Sequence, residues 1–525
     1  MARLTPLTRL TRLTRPHRPL SYAEPYSAVI KGYMEPDEPL DPLALLEADT
    51  SLEAARPILE LAAQYFAETR TGEGPVSTWH SAEVIADRLS APMPRRSRPL
   101  PEVARRLATL LLPDVNRLAH PMYIGHQVSA PLPAAVWTES LISALNQSMA
   151  VREMSPAFTP LEHQVIEWMT DLVGWDARAG GTMTSGGTEA TFTALLAARS
   201  HAIPSVWKTG LGPRPPVLVC GEHAHYAVKR AAGAMGIGQS RVITVPSADH
   251  RLSIPHLRAR LAQLREESVA IMAVVATAGC TATGSFDDLD AVADACEAFG
   301  DANGPIWLHV DAAHGGGALL SHTHRHRLHG MARARSVAWD PHKTLLLPLS
   351  AGMVLMREEH DLERAFDQDA PYLFTPSGDQ HAWDIGPRSF QCSRRADVLK
   401  LWVALERYGA DALGQLYEHL CHMAQVLHAR LIGHPEFRPL HAPESNILCF
   451  TWQPHGVPAE EWDACTDALR ERYNRSGRGW ITVTTMAGRR ALRITVMNAR
   501  TTERHLEVLV EGLEAEGQRV TRGYQ

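Results

Sequence analysis

The spacing of apolar residues changes character twice along the chain. Between about residues 42 and 112, apolar residues recur every three or four positions, which predicts amphipathic helices that pack on another part of the molecule. From about 160 to 360, short apolar runs alternate with segments of helical spacing. After about 400, a long helical segment precedes two strand patterns and a final helix. The pattern therefore predicts three structured parts.

The middle part predicts a mostly parallel sheet covered by helices. Its apolar runs are continuous rather than alternating, which is typical of strands buried on both faces. The predicted strands lie at residues 216–220, 241–245, 269–277, 306–311, 336–340 and 352–356. Ligands of such sheets bind at the carboxyl ends of the strands. Polar residues that follow these runs are therefore candidate site residues.

A length of 525 residues exceeds what one compact core usually accommodates, so several domains are expected. We predict a disordered tail at 1–40, an N-terminal helical segment at 41–115, a large α/β domain at 116–398 and a small C-terminal α+β domain at 399–525. The first residues are rich in arginine and free of acids, which would also suit a transit peptide. A disordered tail is the simpler interpretation.

Composition narrows the class of protein. The net charge of −6 offers no basic surface for nucleic acid, and no apolar run approaches the roughly 20 residues of a membrane helix. Seven dispersed cysteines without a CxxC pair predict reduced thiols and a cytoplasmic location. The histidine-rich stretch 321–330 invites a metal interpretation, but its spacing suits no single ligand set. We interpret it as a solvated loop and predict no metal site.

A glycine-rich turn before a helix is the first motif that carries chemistry. Residues 184–189 read Thr-Ser-Gly-Gly-Thr-Glu and open a helical pattern. Free N–H groups at a helix start, glycines that let a ligand approach, and the hydroxyl groups of serine and threonine favour a phosphate monoester. The same residues would also serve as an ordinary N-cap.

Two further motifs supply a carboxylate and an amine. Asp311 ends a predicted strand and is followed by small residues, so a planar ligand would fit beside it. It could cap a turn, but a buried aspartate needs a cation, and a protonated pyridine nitrogen would supply one. Lys343 follows the strand that ends at Asp340; alone it would be an ordinary surface lysine. Together, the phosphate site, the carboxylate and the lysine indicate pyridoxal phosphate as the cofactor.

The order and wording of these motifs resemble the group II pyridoxal-phosphate-dependent decarboxylases of fold type I, from about His120 to Arg500. That family includes glutamate, cysteine-sulfinate, aromatic-amino-acid and diaminobutyrate decarboxylases. The resemblance implies a fold-type-I large domain and decarboxylation of an L-amino acid to an amine and CO₂. It also implies a homodimer whose active site lies at the subunit interface.

The resemblance assigns roles to individual residues. Lys343 would hold the cofactor as a Schiff base, Asp311 would pair with the ring nitrogen, and His225 would stack on the ring. The implied cofactor contacts are Ser185, Gly186, Gly187, Thr188, His225, Thr277, Asp311, Ala313, His342 and Lys343. The implied catalytic residues are Lys343, His225, Asp311, His342 and His381.

The substrate contacts come from two other segments. Tyr123 and Gln127 belong to a stretch that resembles the family's pocket wall. Gln391-Cys392-Ser393-Arg394 resembles a motif of the glutamate and cysteine-sulfinate branch, whose arginine would clamp a substrate carboxylate. This arginine favours an acidic substrate, namely glutamate, aspartate or cysteine sulfinate. By residue type alone, it could instead be a surface charge at a helix start.

The sequence departs from the family where a mobile loop usually carries a proton-donating tyrosine. Residues 377–389 contain none; His381 is the best substitute, and Tyr372 lies just before the stretch. In this family, loss of that donor is associated with aldehyde-forming side reactions. Diaminobutyrate or aromatic decarboxylation, aldehyde synthesis, carbon–carbon lyase chemistry and an inactive binding homologue therefore stay open as alternatives.

Overall fold

The computed structural model describes residues 42–302, 304–367 and 383–522. The predicted tail and His381 lie outside these ranges. The helices are α1 (Pro42–Ala48), α2 (Leu52–Arg70), α3 (Ala82–Leu89), α4 (Leu100–Leu110), α5 (Pro133–Leu145), α6 (Phe158–Val173), α7 (Gly187–Ala202), α8 (Val206–Thr209), α9 (Ala227–Ala234), α10 (Ile254–Glu266), α11 (Leu289–Ala298), α12 (His360–Ala365), α13 (Val398–Tyr408), α14 (Ala410–Leu431), α15 (Trp462–Arg475) and α16 (Glu503–Thr521). The strands are β1 (Gly180–Thr184), β2 (Val217–Gly221), β3 (Val242–Val245), β4 (Ser247–Ala248), β5 (Arg251–Leu252), β6 (Ile271–Thr277), β7 (Trp307–Asp311), β8 (Ser336–Trp339), β9 (Gly352–Met356), β10 (Phe437–Pro439), β11 (Ile447–Trp452), β12 (Thr482–Met486) and β13 (Arg489–Thr495).

A seven-stranded sheet forms the centre of the middle part of the chain. Its strand order is β1-β9-β8-β7-β6-β2-β3, and every neighbouring pair from β8 to β3 is parallel. β9 pairs antiparallel with both β1 and β8. All six predicted strands are present, and the mostly parallel α/β fold is confirmed. β1 was not predicted, because its sequence Gly-Gly-Thr-Met-Thr carries little apolar signal.

Helix α7 covers the sheet next to the glycine-rich turn. It packs on β7, β8 and β9, and its inward residues Ala190, Ala194 and Ala198 are completely buried. Such small side chains let the helix axis lie close to the sheet. The start of the helix is thereby fixed near the ends of the central strands.

The predicted long helix after residue 396 is wrong in one respect, because it is two helices. α13 ends at Tyr408 and α14 begins at Ala410. Gly409 between them has a φ of +78°, in the left-handed region that glycine adopts without steric strain. Its open surroundings leave room for the bend.

The C-terminal part forms a four-stranded antiparallel sheet in the order β10-β11-β13-β12. The stretch from residue 122 to 130 connects this sheet to the large domain. The Ile124 amide donates to the Trp480 carbonyl at 3.0 Å, and the Thr495 amide donates to the Ile124 carbonyl at 2.8 Å. The residues around Gly125 therefore lie directly against β13. No helix in the described ranges is long and apolar enough to cross a membrane.

Candidate active site

A cavity of about 410 Å³ opens where the central strands end. It lies beyond the carboxyl ends of β1, β2, β6, β7 and β8, as expected for an α/β sheet. Its lining residues are Gln127, Ser185, Gly186, Gly187, Thr188, Glu189, His225, Tyr226, Thr277, Gly279, Thr281, Asp311, Ala313, His314, Asp340, His342, Lys343 and Leu349. All ten predicted cofactor contacts are therefore brought together in one place.

Gly187 is the position in the glycine-rich turn where the structure leaves no room for a side chain. A Cβ at this position would lie 2.7 Å from Ala313 Cβ and 2.9 Å from Asp340 Oδ2. The turn is thus pressed against the ends of β7 and β8, and α7 begins immediately there. The free N–H groups of this helix start are available to a phosphate.

Asp311 occupies the end of β7 and is only 7% exposed. Its Oδ1 accepts a hydrogen bond from the Ala313 amide at 3.1 Å, and Thr277 lies beside it as its partner on β6. None of the ion pairs between described residues involves Asp311. A buried carboxylate without a cationic side chain is suited to a cation from a ligand.

Lys343 extends from the turn after β8 into the same cavity. Its Nζ lies 3.0 Å from Asp340 Oδ2, and His342 Nε2 lies 3.6 Å from the same oxygen. Asp340 is almost completely buried, and its carboxylate forms an ion pair with Lys343. Asp340 belongs to the predicted motif, but residue type and spacing do not reveal that its side chain contacts Lys343.

The two predicted cavity histidines are uncharged near neutral pH. Burial lowers the pKa of His225, although the negative charge of Asp311 opposes this. Burial also lowers the pKa of His342. The Nδ1 atoms accept hydrogen bonds from the amides of Ala227 and Ala351 at 3.3 and 3.1 Å, respectively. Each neutral ring therefore carries its proton on Nε2.

The predicted substrate contacts divide into one that lines the cavity and two that do not. Gln127 lines it. Tyr123 instead stacks on Trp480 with ring centroids 6.2 Å apart, and burial raises the pKa of Tyr123 to about 12. The prediction that Tyr123 lies on the pocket wall is therefore corrected, because its ring packs on Trp480 instead of lining the cavity.

Arg394 is the second correction. Its guanidinium donates two hydrogen bonds to Glu162, at 3.0 and 2.7 Å, and both side chains are buried. Its charge is already balanced by Glu162 and it does not line the cavity, so this chain gives no support to a substrate clamp at Arg394. Sequence spacing could not reveal the pairing, because Glu162 lies 232 residues away on α6.

Arg493 is a candidate that the sequence analysis missed. It lies on β13 and is 7% exposed. Its guanidinium donates to the carbonyls of Thr281, Ala282 and Gly125 at 2.6, 3.2 and 3.3 Å. The available signal was a charged residue within the otherwise apolar stretch Ala-Leu-Arg-Ile.

The residues present fit pyridoxal phosphate. Three features face one cavity. They are the start of α7, which leaves no room for a side chain at Gly187, the buried carboxylate of Asp311, and Lys343. Gly186, Gly187 and Thr188 would hold the phosphate, Asp311 the ring nitrogen and Lys343 the aldehyde carbon. When bound, the cofactor supplies an electron sink for bonds broken at the substrate α-carbon.

Comparisons with known proteins agree with this assignment. Residues 85–453 match the family described as the pyridoxal-dependent decarboxylase conserved domain. The crystal structure of mouse CSAD is 26% identical, with a TM-score of 0.83, and the match covers 91% of this chain and 99% of that chain. The glutamate decarboxylase domain of diaminobutyrate-pyruvate transaminase and L-2,4-diaminobutyrate decarboxylase from Vibrio parahaemolyticus is also 26% identical, with a TM-score of 0.79 and coverage of 89% and 96%.

A third similar structure, Oryza sativa TDC with PLP and tryptamine, is 22% identical with a TM-score of 0.82, and the match covers 92% of this chain and 99% of that chain. At that identity the likeness shows the fold. The family match spans well over half of the sequence, and the cavity holds the residues that the cofactor requires. The chain belongs to the pyridoxal-dependent decarboxylase family and is a pyridoxal-phosphate-dependent carboxy-lyase.

Proposed function

We propose that this enzyme decarboxylates an acidic L-amino acid, such as glutamate, aspartate or cysteine sulfinate. The observation that carries the proposal is the buried guanidinium of Arg493. Its hydrogen-bond partners are neutral oxygens, and none of the ion pairs between described residues involves it. A buried cation is stabilised far better by an anion than by carbonyl groups alone.

Arg493 does not itself line the cavity, but its hydrogen-bond partners lie beside the lining residues, and unlike Arg394 it has no carboxylate partner among the described residues. Its Nη2 contacts the carbonyl of Thr281, a lining residue, and its Nη1 contacts Gly125, two residues before the lining residue Gln127. The nearby thiol of Cys449 is no counter-ion, because burial raises its pKa to about 12. A carboxylate or sulfinate at the end of the substrate side chain would complete the charge balance.

The other cavity residues divide the remaining work. Lys343 is held by Asp340 at the point where the substrate amine must arrive. Asp311, buried at the end of β7, would hold the ring nitrogen of the cofactor and stabilise positive charge on it. His225 and His342, kept neutral by burial, add no competing positive charge. When the α-carboxylate leaves as CO₂, the α-carbon must gain one proton from a donor such as His381.

Substrate preference provides the test. Purified enzyme is given glutamate, aspartate, cysteine sulfinate, glutamine and 2,4-diaminobutyrate separately, and CO₂ release is measured. We expect acidic substrates to react fastest. Arg493→Gln should lower kcat/KM for the best of them about 100-fold, as for loss of a desolvated charge pair, and should affect glutamine far less.

Two controls make this test decisive. Arg490→Gln changes a partly exposed arginine of the same strand, which pairs with Asp467, and should leave the preference unchanged. Arg493→Lys keeps the charge in case the glutamine variant folds poorly. A fastest substrate that is neutral or basic would contradict the proposal, as would equal losses on glutamate and glutamine.

Aldehyde synthesis is a second candidate, favoured by one feature of the sequence. Residues 377–389 contain no tyrosine to return a proton to the α-carbon. Product analysis distinguishes the two reactions, because simple decarboxylation yields the amine and CO₂ without ammonia or hydrogen peroxide. Stoichiometric ammonia and peroxide would instead support the aldehyde-forming reaction.

We also infer a homodimer and a cytoplasmic location. Trp137, Leu141 and Leu145 form an exposed apolar row on α5 with four-residue spacing, which suits contact with a second copy. All seven cysteines are free thiols, and all except Cys392 are buried, as in proteins of reducing compartments. Cell fractionation followed by immunoblotting tests the location.

A further inference from the structure

The segment from Gln391 to Arg394 contacts the phosphate-binding side of the site rather than the substrate side. We propose that Gln391 and Arg394 are positioning residues for the phosphate-binding loop, and that they set the affinity for the cofactor rather than the choice of substrate. Two glutamates transmit their effect. The inference does not depend on which amino acid is the substrate, because cofactor affinity is measured without one.

Gln391 acts on the loop through Glu189. Its Nε2 donates to Glu189 Oε2 at 2.8 Å. The same oxygen accepts hydrogen bonds from the Ser185 amide at 2.9 Å and from the Ser185 hydroxyl at 2.5 Å. Ser185 and Glu189 both line the cavity. Gln391 therefore holds the carboxylate of Glu189, which in turn fixes Ser185 at the start of the phosphate-binding loop.

The charge of Glu189 makes this contact important. A phosphate bound at the start of α7 carries negative charge, so a carboxylate in the first turn of the same helix repels it more strongly the closer the carboxylate lies. The hydrogen bond from Gln391 keeps Glu189 Oε2 directed at Ser185. Without it, the carboxylate would be freer to turn toward the phosphate.

Arg394 acts on the strand that leads into the loop. Its guanidinium forms two hydrogen bonds with Glu162, and Glu162 Oε1 accepts the Met183 amide at 3.0 Å and the Thr182 hydroxyl at 3.2 Å. Both residues belong to β1, which ends at Thr184. Arg394 thus neutralises the buried carboxylate of Glu162, which fixes the last residues before the phosphate-binding loop.

The preceding residues give this segment a firm anchor. Arg388 forms ion pairs with Glu359 at 2.6 Å and with Glu363 at 3.1 Å. The Met149 amide also donates to the Arg394 carbonyl at 2.9 Å. The segment is therefore held on both sides of Gln391, so its side chain can restrain the loop.

Cofactor titration tests the proposal. Apoenzyme of the full chain is titrated with pyridoxal phosphate and, separately, with pyridoxal, which lacks the phosphate, and binding is followed by visible absorbance. Gln391→Ala should raise the Kd for pyridoxal phosphate about tenfold, as for loss of one charge-assisted hydrogen bond. It should leave the Kd for pyridoxal, the Tm of the apoenzyme and the substrate KM at saturating cofactor unchanged.

Two further variants complete the experiment. Cys392→Ala alters the exposed neighbour in the same segment and should bind both ligands like the wild type. Arg394→Lys keeps the charge but loses the double hydrogen bond, and should weaken pyridoxal phosphate without changing the ratio of activities on glutamate and glutamine.

Three outcomes would overturn the proposal. Equal weakening of pyridoxal and pyridoxal phosphate would mean that Gln391 supports the whole domain. A lower Tm of the apoenzyme with an unchanged Kd would mean a purely structural role. An Arg394→Lys variant with unchanged cofactor affinity and a raised KM for acidic substrates alone would restore the substrate clamp.

Discussion

Lys343 is one of four lysines in the described ranges, and it alone lines the cavity. Its Nζ lies 3.0 Å from Asp340 Oδ2, and both residues line the cavity. Reduction with borohydride converts a Schiff base into a stable bond, so it reports which lysine carries the cofactor.

We expect that borohydride leaves pyridoxal phosphate attached to Lys343 in the wild type and that Lys343→Ala abolishes both attachment and decarboxylation. Peptide mass spectrometry identifies the modified residue. Lys229→Ala serves as a control, because Lys229 does not line the cavity. An adduct on any lysine other than Lys343 would refute the assignment.

The two arginines show what sequence can and cannot reveal about single residues. Lys343 and Asp311 can be singled out from the sequence because, taken together with the glycine-rich turn, their places at the ends of buried strands indicate one cofactor. Arg394 and Arg493 differ only in their partners, a buried glutamate in one case and carbonyl groups in the other. Those partners lie hundreds of residues away in the sequence, so residue type and spacing could not distinguish the two.

The start of α7 is the element on which phosphate binding depends. In a Gly187→Ala variant, the new methyl group would lie 2.7 Å from Ala313 Cβ, so the turn or the end of β7 must shift. We expect an affinity for pyridoxal phosphate reduced about tenfold or more, since overpacking typically costs about 1–3 kcal/mol.

Gly233→Ala in α9 is the matched control for this glycine. Its new Cβ would contact Gln239 at an ordinary 3.8 Å, so the variant should be slightly more stable and bind the cofactor normally. Equal cofactor affinity in the two variants would show that the close approach at Gly187 is unimportant. Absorbance titration measures both.

Strand β7 carries a buried histidine that makes the fold sensitive to acid. Burial lowers the pKa of His309 to about 4, whereas an unfolded histidine titrates near 6.5. Above pH 6.5 the ring is neutral in both states and has no effect. Between pH 6.5 and 4 the unfolded state binds one more proton, so the free energy of unfolding falls by about 1.4 kcal/mol per pH unit.

His309→Gln should remove this contribution. Urea denaturation from pH 4.5 to 6 should show a smaller slope of unfolding free energy against pH than in the wild type. The difference should be about 1.4 kcal/mol per pH unit, which corresponds to one proton. Loss of the contact between His309 Nδ1 and Ser336 Oγ at 2.9 Å lowers the stability of the variant by an amount that does not depend on this titration, so only the slope tests it. An unchanged slope would contradict it.

Elements were predictable where one local signal dominated. Six central strands followed from continuous apolar runs, but β1 did not, because its pairing with β9 stabilises a sequence of weak strand propensity. The break at Gly409 was missed because the apolar spacing continues through it; only the backbone conformation distinguishes one helix from two.

At the scale of the whole molecule, the exposed row on α5 predicts the assembly. Leu141, at the centre of this row, is 51% exposed. Leu141→Asp would place a charge in the proposed dimer contact, so we expect light scattering to show dimers for the wild type and monomers for the variant. Val84→Asp, at a similarly exposed position on α3, is the control. A wild-type monomer with full activity would refute the dimer.

The pairing of β1 with β9 also has a consequence for how the chain folds during synthesis. Gly180 lies opposite Met356, so β1 cannot pair with β9 until residue 356 has left the ribosome. Until then, β1 and the inward face of α7 lack their final neighbours. Non-local closure of this kind slows folding and prolongs the exposure of aggregation-prone surface. Slower translation before residue 356 would lengthen the time during which this surface is exposed. Binding of a chaperone to the nascent chain would cover the surface during that time.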